Sequence, residues 1–307
     1  MKTCYVITLA VLERRNNPGG GVFRVINKYM ITKYDTLQQV VSCLLIHSTW
    51  IKKIIANFDL IERNFNLRDT DKIALREFFK IDHEKLLIHA QLSEEKRWRE
   101  FLTTSHYVKL FFGIDKLKRY WTEYLTSFHF KEGIPSTPFN EAVCFLEFME
   151  KKSNALEKKI IEYEITKNRL VGFNFYHDQI SSIKRYKIAM EDVFSHELFL
   201  NPSLVIKKFK LHTLQLLKNI DLSIAQSLEG KNDNNIYLGF YKNCRTGSIK
   251  TIAINKHILK LLIYMKNKQQ LYVILQLLED NKKWSFQKGT DFINYLHQEN
   301  VIFIVKK

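Results

Sequence analysis

The spacing of apolar residues near the end of the chain predicts a β-hairpin. The run from Ile236 to Tyr241 is rich in β-branched and aromatic residues, and from Ile249 to Ile254 apolar residues alternate with polar or small ones. Between these runs, Asn243 to Gly247 supplies residues that favour a turn. We therefore expect two strands joined by a short connection.

After the second predicted strand, the period of the apolar residues becomes helical. Asn255 is placed to cap a helix whose apolar face consists of Ile258, Leu261, Leu262 and Met265. Two more helices are predicted, from about Gln269 to Glu279 and from about Thr290 to Gln298, and the apolar tail Val301 to Val305 is predicted to be a wing or an edge strand. This order favours a small winged-helix-like module. A sheet edge beside a helix suits binding of an extended peptide, although a module that only buries its own apolar faces fits the pattern equally well.

The remainder of the chain is predicted to be mostly helical, with an α+β fold overall. Helical spacing is found at about Thr36–Phe58, from Asp69 or Thr70 to Phe79, around His83–His89, at Ser93–Leu102, Gly113–Phe128, from Pro138, and at Ser153–Leu170, with a connection at Lys80–Asp82. Strands are predicted at Val171–Tyr176 and Ser203–Leu211, the latter as an outer strand of the C-terminal sheet. We predict an extension at residues 1–34, a helical domain at 35–175 and a strand-containing region at 176–307 with its core at 235–307.

The amino-acid composition indicates which class of partner and which cellular compartment to expect. The 48 Lys and Arg residues exceed the 32 Asp and Glu residues and give a net charge of +16, so a polyanion or an acidic partner is expected. The cysteines, Cys4, Cys43, Cys144 and Cys244, show neither metal-site nor disulfide spacing, which favours a reducing cytoplasm. Because no apolar run approaches the ~20 residues of a membrane span, a membrane protein is not expected.

No catalytic or metal-binding motif is found in the sequence. The ten histidines lack ligand spacing; His83 and His89, for example, are six residues apart and do not share a helix face. Nucleotide-binding and nucleophile motifs are missing as well. The predicted helix Thr290–Gln298 contains no Arg or Lys, which disfavours direct reading of DNA bases. The positive charge nevertheless keeps a winged-helix nucleic-acid-binding regulator as the alternative function, and an autonomous metalloenzyme as a third.

Six segments, taken in order, resemble one family. They are Ala74–Asp82, Leu117–Leu125, Thr137–Phe139 running into Ala142–Phe148, Leu156–Leu170, Leu200-Asn201-Pro202, and the C-terminal module. Together they are similar to the partner proteins of multinuclear iron-dependent oxidases that modify ribosomally made peptides, as in methanobactin, thiaglutamate and chryseobasin maturation. The longer type, with a C-terminal precursor-recognition domain, fits residues 35–307.

This resemblance implies a subunit that is not itself an enzyme and holds no cofactor. The iron is expected in a separate oxidase that forms a heterodimer with this chain and modifies cysteine or nearby residues of the precursor. The leader of the precursor peptide would add a strand beside Ile249–Ile254 and contact the third helix. The implied peptide-binding residues are Ile249, Lys250, Thr251, Ile252, Ala253, Ile254, Thr290, Phe292, Ile293 and Leu296.

Overall fold

Helices dominate the first half of the chain and two small sheets follow in the second. A computed structural model describes residues 37–127, 137–174, 190–218, 235–266, 269–280 and 285–306. One compact unit runs up to Arg169 and the other begins at Leu170. The described residues form twelve α-helices and two three-stranded antiparallel sheets, which confirms the predicted α+β class. The predicted extension, residues 1–34, lies outside them.

Eight helices begin in the N-terminal unit: α1 (Leu37–Leu44), α2 (Ser48–Ala56), α3 (Asp59–Asn64), α4 (Asp69–Thr104), α5 (His106–Phe112), α6 (Ile114–Ser127), α7 (Pro138–Lys152) and α8 (Ala155–Val171). Prediction of α7 is confirmed: the Thr137 hydroxyl accepts a hydrogen bond from the Asn140 N–H, and Pro138 occupies the first turn. Its predicted apolar face, Ala142, Phe145, Leu146 and Met149, is fully buried. Cys144 is half-buried.

The single helix predicted at Thr36–Phe58 is wrong, because α1 and α2 are separated at residues 45–47. Two residues of α4 form hydrogen bonds with residues at this break. The Glu94 carboxylate accepts hydrogen bonds from the Ser48 N–H at 2.6 Å and the Ser48 hydroxyl at 2.7 Å, while the Arg97 guanidinium donates to the Ile46 carbonyl. Distant side chains therefore satisfy main-chain groups that a continuous helix would have paired internally.

Helix α4 corrects a second prediction. It runs unbroken through the connection expected at Lys80–Asp82, a segment that contains neither glycine nor proline. Arg68, rather than Asp69 or Thr70, occupies its N-cap position, and Asp69 and Asp71 lie in the first turn, where a negative charge is favoured. Although α4 is long, it is rich in charged residues. None of the described helices has both the length and the apolarity needed to cross a membrane.

An aromatic cluster forms part of the N-terminal core. Trp121 packs against Trp98, Phe101 and Phe145 with ring centroids 5.7, 6.1 and 5.0 Å apart, so that α4, α6 and α7 meet at one point. These four side chains are at most 5% exposed. Large aromatic residues at helical spacing thus have a packing role here.

His47, between α1 and α2, makes the stability of this unit depend on pH. Burial, with a smaller contribution from the Arg97 charge, lowers the pKa of His47 to about 3. Because the unfolded chain binds a proton near pH 6.5 and the folded chain does not, stability is lost as the pH falls from that value towards 3. Between about pH 6.5 and pH 4.5, we expect the wild type to lose about 2 kcal/mol more than His47→Gln does. Urea unfolding across this range measures the difference; exposed His89→Gln is the control, and equal slopes for wild type and His47→Gln would contradict the expectation.

The C-terminal unit opens with a 3-10 helix (Met190–Ser195). It continues with β1 (His196–Leu200), β2 (Val205–Lys210), α9 (Leu211–Lys218), β3 (Asn235–Lys242), β4 (Ile249–Ile254), α10 (Lys256–Tyr264), β5 (Gln269–Gln270), α11 (Leu271–Asp280), α12 (Phe286–Gln298) and β6 (Ile302–Lys306). One sheet has the order β2-β3-β4 and the other β5-β1-β6, with every pairing antiparallel.

The predicted hairpin is confirmed as β3 and β4, and the strand predicted at Ser203–Leu211 is confirmed as β2, an outer strand of the same sheet. The Asn255 side chain caps α10 by accepting from the Ile258 N–H at 2.8 Å. The C-terminal tail is an edge strand, β6, as predicted, but it pairs with β1 in the other sheet.

Two predictions for this unit are wrong. The strand predicted at Val171–Tyr176 is replaced by the last residue of α8 and non-strand residues to Asn174; positions 175 and 176 lie outside the described residues. The third helix starts at Phe286 instead of Thr290, because the Ser285 hydroxyl accepts from the Lys288 N–H and caps an earlier turn. The helix therefore contains Lys288, which removes part of the argument against nucleic-acid binding.

Candidate functional site

Strand β4 has one paired edge and one open edge. It pairs with β3 along its whole length, from Ile249 opposite Lys242 to Ile254 opposite Tyr237. On its other side, no strand among the described residues continues the sheet. Four of its six residues are half-buried.

The register shows which main-chain groups point to the open edge. The Asn243 N–H donates to the Ser248 carbonyl at 2.8 Å, and this pair continues the register of β3 and β4. Hydrogen-bonded and non-hydrogen-bonded pairs alternate in an antiparallel ladder. Consequently, Lys250, Ile252 and Ile254 direct their main-chain groups towards β3. The N–H and C=O groups of Ile249, Thr251 and Ala253 point to the open edge, where an added strand would bind.

Two of the other sheet edges are less suited to pairing. Strand β2, at the opposite edge of the same sheet, carries Lys207, Lys208 and Lys210 among its six residues, and charged edge residues discourage strand addition. In β6 the first three residues, Ile302, Phe303 and Ile304, are fully buried. Strand β4 carries a single lysine and is partly accessible, which makes it the most receptive of these edges.

The C-terminal end of α12 lies beside this hairpin. Lys250 of β4 forms a 2.8 Å ion pair with Glu299, which directly follows α12. Burial, together with the charge of Glu299 and the Tyr295 phenol, raises the pKa of Tyr241, the residue that pairs with Lys250 across the hairpin. The Tyr241 phenol therefore stays protonated and neutral. Tyr295 itself is 54% exposed and offers an aromatic surface next to the strand.

A glycine in β3 leaves room for two side chains of β4. A Cβ atom at Gly239, in β3, would lie 2.7 Å from the Ile254 Cδ1 atom and 3.2 Å from the Ile252 Cγ1 atom. The two isoleucine side chains therefore occupy the space above the glycine and join the core that contains Ile293 and Leu296. The core fixes β4 through Ile252 and Ile254 while its outer edge stays open.

The ten residues implied by the resemblance divide into two groups. In β4, Thr251 and Ile254 are buried, whereas Ile249, Lys250, Ile252 and Ala253 are half-buried. In α12, Thr290, Ile293 and Leu296 are buried and Phe292 is half-buried.

The buried side chains of α12 pack inside the unit; the Thr290 hydroxyl, for example, donates to the Phe286 carbonyl at 3.0 Å. A ligand at this helix would meet the exposed residues Asp291, Tyr295 and Gln298.

Sequence reasoning missed Tyr295, Glu299 and Tyr241. A signal for Tyr295 is present: it is an aromatic residue on the opposite face of α12 from Ile293 and Leu296, an unusual place for a large apolar side chain. Glu299 and Tyr241 are identified only by the tertiary structure, since each depends on a residue from another element.

A buried polar junction holds the hairpin to the rest of the unit. Asn201, which is fully buried, donates from its side-chain nitrogen to the Lys242 carbonyl at 3.0 Å and the Asn300 carbonyl at 2.7 Å. Its side-chain oxygen accepts from the Ser203 N–H and hydroxyl. Asn300 adopts a positive φ of 65°, and its side chain accepts from the Cys244 thiol. Asn201 thus joins the end of β3 to the turn between α12 and β6.

In the described part of the chain, His, Cys, Asp and Glu side chains do not form a group of three that could hold a metal ion. No protein-family model matches the chain, and no curated protein matches it. The resemblance to oxidase partner proteins therefore remains a hypothesis based on the ordered segments, and the β4 edge is the candidate site on structural grounds.

Proposed function

We propose that this chain is a peptide-binding subunit that takes the leader of a ribosomally made precursor as an added strand on β4. The observation that carries this proposal is the open edge formed by Ile249, Thr251 and Ala253, next to the exposed Tyr295. Main-chain hydrogen bonds from such an edge give affinity, while neighbouring side chains select the peptide. The lysines of β2 leave β4 as the preferred edge of its sheet.

In this proposal the chain presents the bound precursor to a multinuclear iron-dependent oxidase and carries out no chemistry itself. The oxidase supplies the iron and oxidises cysteine or nearby residues. The support for this part is the resemblance of residues 35–307 to the partner proteins of such oxidases. The net charge of +16 suits an acidic leader or an acidic face of the oxidase. A cytoplasmic setting, where precursor and oxidase are made, belongs to the same proposal.

Ala253→Pro tests the added strand. In the wild type, the Ala253 N–H points away from β3. Proline at this position therefore removes a hydrogen-bond donor from the open edge and leaves the β3–β4 ladder intact. We expect binding of a precursor peptide that the wild-type chain binds to weaken at least about tenfold, equivalent to about 1.4 kcal/mol. Fluorescence anisotropy with the labelled precursor and the full chain measures the affinity, and circular dichroism verifies the fold.

Lys208→Pro is the matched control. By the same alternation, Lys208 directs its N–H to the open edge of β2, so the substitution makes the same chemical change on the opposite side of the sheet. Its affinity for the precursor should equal that of the wild type. Equal weakening by both variants, or none by Ala253→Pro, would contradict binding at β4. Steeply salt-dependent binding to duplex DNA without peptide binding would instead support the nucleic-acid regulator.

A further inference from the structure

One face of β4 carries a cation and an aliphatic side chain that a peptide at the open edge would meet. Because side chains alternate between the two faces of a strand, Lys250 and Ile252 lie on the same face. They are paired with Tyr241 and Gly239 of β3, and both are half-buried. A bound peptide therefore meets a positive charge at one position and an apolar surface two positions away.

The register gives these two side chains close neighbours in an added strand. The main-chain groups of Lys250 and Ile252 point to β3, so each residue would form a non-hydrogen-bonded pair with an antiparallel peptide. In such pairs the Cα atoms are about 4.5 Å apart, and the side chains are closer than in hydrogen-bonded pairs. The peptide residues opposite Lys250 and Ile252 thus contact this face directly.

The direction of the added strand sets the order of these two peptide residues. Every pairing between described strands of this unit is antiparallel, and parallel pairing is slightly less stable per residue. In an antiparallel peptide, the residue opposite Ile252 comes two positions before the residue opposite Lys250. A parallel peptide would have the reverse order.

The contact that Lys250 makes in the folded chain shows which chemistry it accepts. Its ammonium group donates to the Glu299 carboxylate at 2.8 Å, and the two side chains are 42% and 33% exposed. Partly exposed ion pairs of this kind contribute little to stability, so their partners exchange readily. A peptide carboxylate at the open edge would compete with Glu299 for the same ammonium group.

The neighbouring position favours an apolar peptide residue. Ile252 packs against the core that contains Ile293 and Leu296, but part of its side chain remains accessible. An apolar side chain opposite Ile252 would cover that part and remove apolar surface from water. The two positions therefore differ in the type of residue that they favour.

We propose that Lys250 determines the specificity of the β4 edge by pairing, in place of Glu299, with an acidic leader residue that follows two positions after an apolar residue packed on Ile252. This inference rests on the proposed binding of a leader at β4. It assigns the leader to a class of sequence: an extended segment in which an apolar residue is followed, two positions later, by Asp or Glu.

Selection from a phage-displayed library of random linear peptides on the full-length chain tests the pattern. Peptides that the wild type retains and Ala253→Pro loses are those bound at the open edge. Among them, an apolar residue followed two positions later by Asp or Glu should be enriched. Lys250→Glu should instead enrich Lys or Arg at the second position, because the charge at the edge is reversed. Lys208→Glu makes the same charge change on β2 and is the matched control, which should return the wild-type pattern.

Affinities of one selected peptide, synthesised with Glu and with Gln at the second position, measure the ion pair itself. Lys250→Met should weaken binding of the Glu peptide about two- to fivefold, the effect of one partly exposed pair, and leave the Gln peptide unchanged. Glu299→Gln should tighten binding of the Glu peptide by a similar factor, because the competing carboxylate is removed. If Lys250 only supported the fold, its substitution would weaken both peptides equally.

The outcomes separate this inference from the peptide site on which it rests. If no selected peptide depends on Ala253, binding at β4 fails and the inference fails with it. If selected peptides depend on Ala253 but their Glu and Gln forms bind the wild type equally, β4 binds peptides and only the role of Lys250 is overturned. Enrichment of the acidic residue before the apolar one would overturn the antiparallel direction. Unchanged affinity of Glu299→Gln for the Glu peptide would exclude the exchange of carboxylates.

Discussion

Replacing Asn201 with alanine is expected to destabilise the C-terminal unit by about 4 kcal/mol, since its buried partners each lose a hydrogen bond worth about 1 kcal/mol or more. The Lys242 and Asn300 carbonyls would lose their amide donor, and the Ser203 N–H and hydroxyl their acceptor. Because Asn201 is fully buried, water would not replace these contacts without a cavity.

Urea unfolding followed by circular dichroism measures this loss. Asn201→Asp keeps the acceptor for Ser203 but removes both amide donors and turns a charge towards two carbonyl oxygens, so it should be no more stable than the alanine variant. Thr246→Ala, in the exposed turn between β3 and β4, is the control and should change stability by less than about 0.5 kcal/mol. A cost below about 1 kcal/mol for Asn201→Ala would show that the junction does not hold the hairpin in place.

Arg97→Ala should be the most damaging single change in the N-terminal unit, costing about 3 to 5 kcal/mol. The guanidinium of Arg97 pairs with the Glu141 carboxylate, and both side chains are at least 88% buried. Its removal leaves Glu141 buried without that partner and deprives the Ile46 carbonyl of its donor. It also removes a cation from beside the Trp121 ring.

The pH dependence of this loss of stability distinguishes the effect of the unpaired Glu141 charge from the effect of lost packing. Burial raises the pKa of Glu141 although Arg97 opposes it, and without Arg97 the pKa should rise further. The deficit of Arg97→Ala relative to wild type should therefore shrink as the pH falls and Glu141 takes up a proton. Arg99→Ala is the matched control, because its pair with Glu95 is exposed, and should cost less than about 1 kcal/mol. Equal losses for the two variants would contradict a special role for Arg97.

Predictions from the sequence were accurate where the determining contacts are local. The turn after β3, the Asn255 cap of α10 and the Thr137-Pro138 start of α7 each depend on residues within a few positions of one another. Strand β4 was also predicted with the bounds that it has in the structure, Ile249–Ile254.

Errors arose where a distant residue determines the local conformation. The break before α2 depends on Glu94 and Arg97, about fifty residues further along the chain. Strand β1 was missed and β6 was not assigned its partner, because Leu200 and Ile302 meet only in the folded chain.

The sequence by itself determined the α+β composition and the hairpin that ends in β4, because alternation, turn residues and helix caps act over short distances. Only the tertiary structure decided that β4 lies at an open edge, that its main-chain groups at Ile249, Thr251 and Ala253 point outward, and that Tyr295 and Glu299 lie beside it. Those properties depend on which strand pairs with which and on the register between them, and long-range pairing of this kind leaves little trace in the local order of residues.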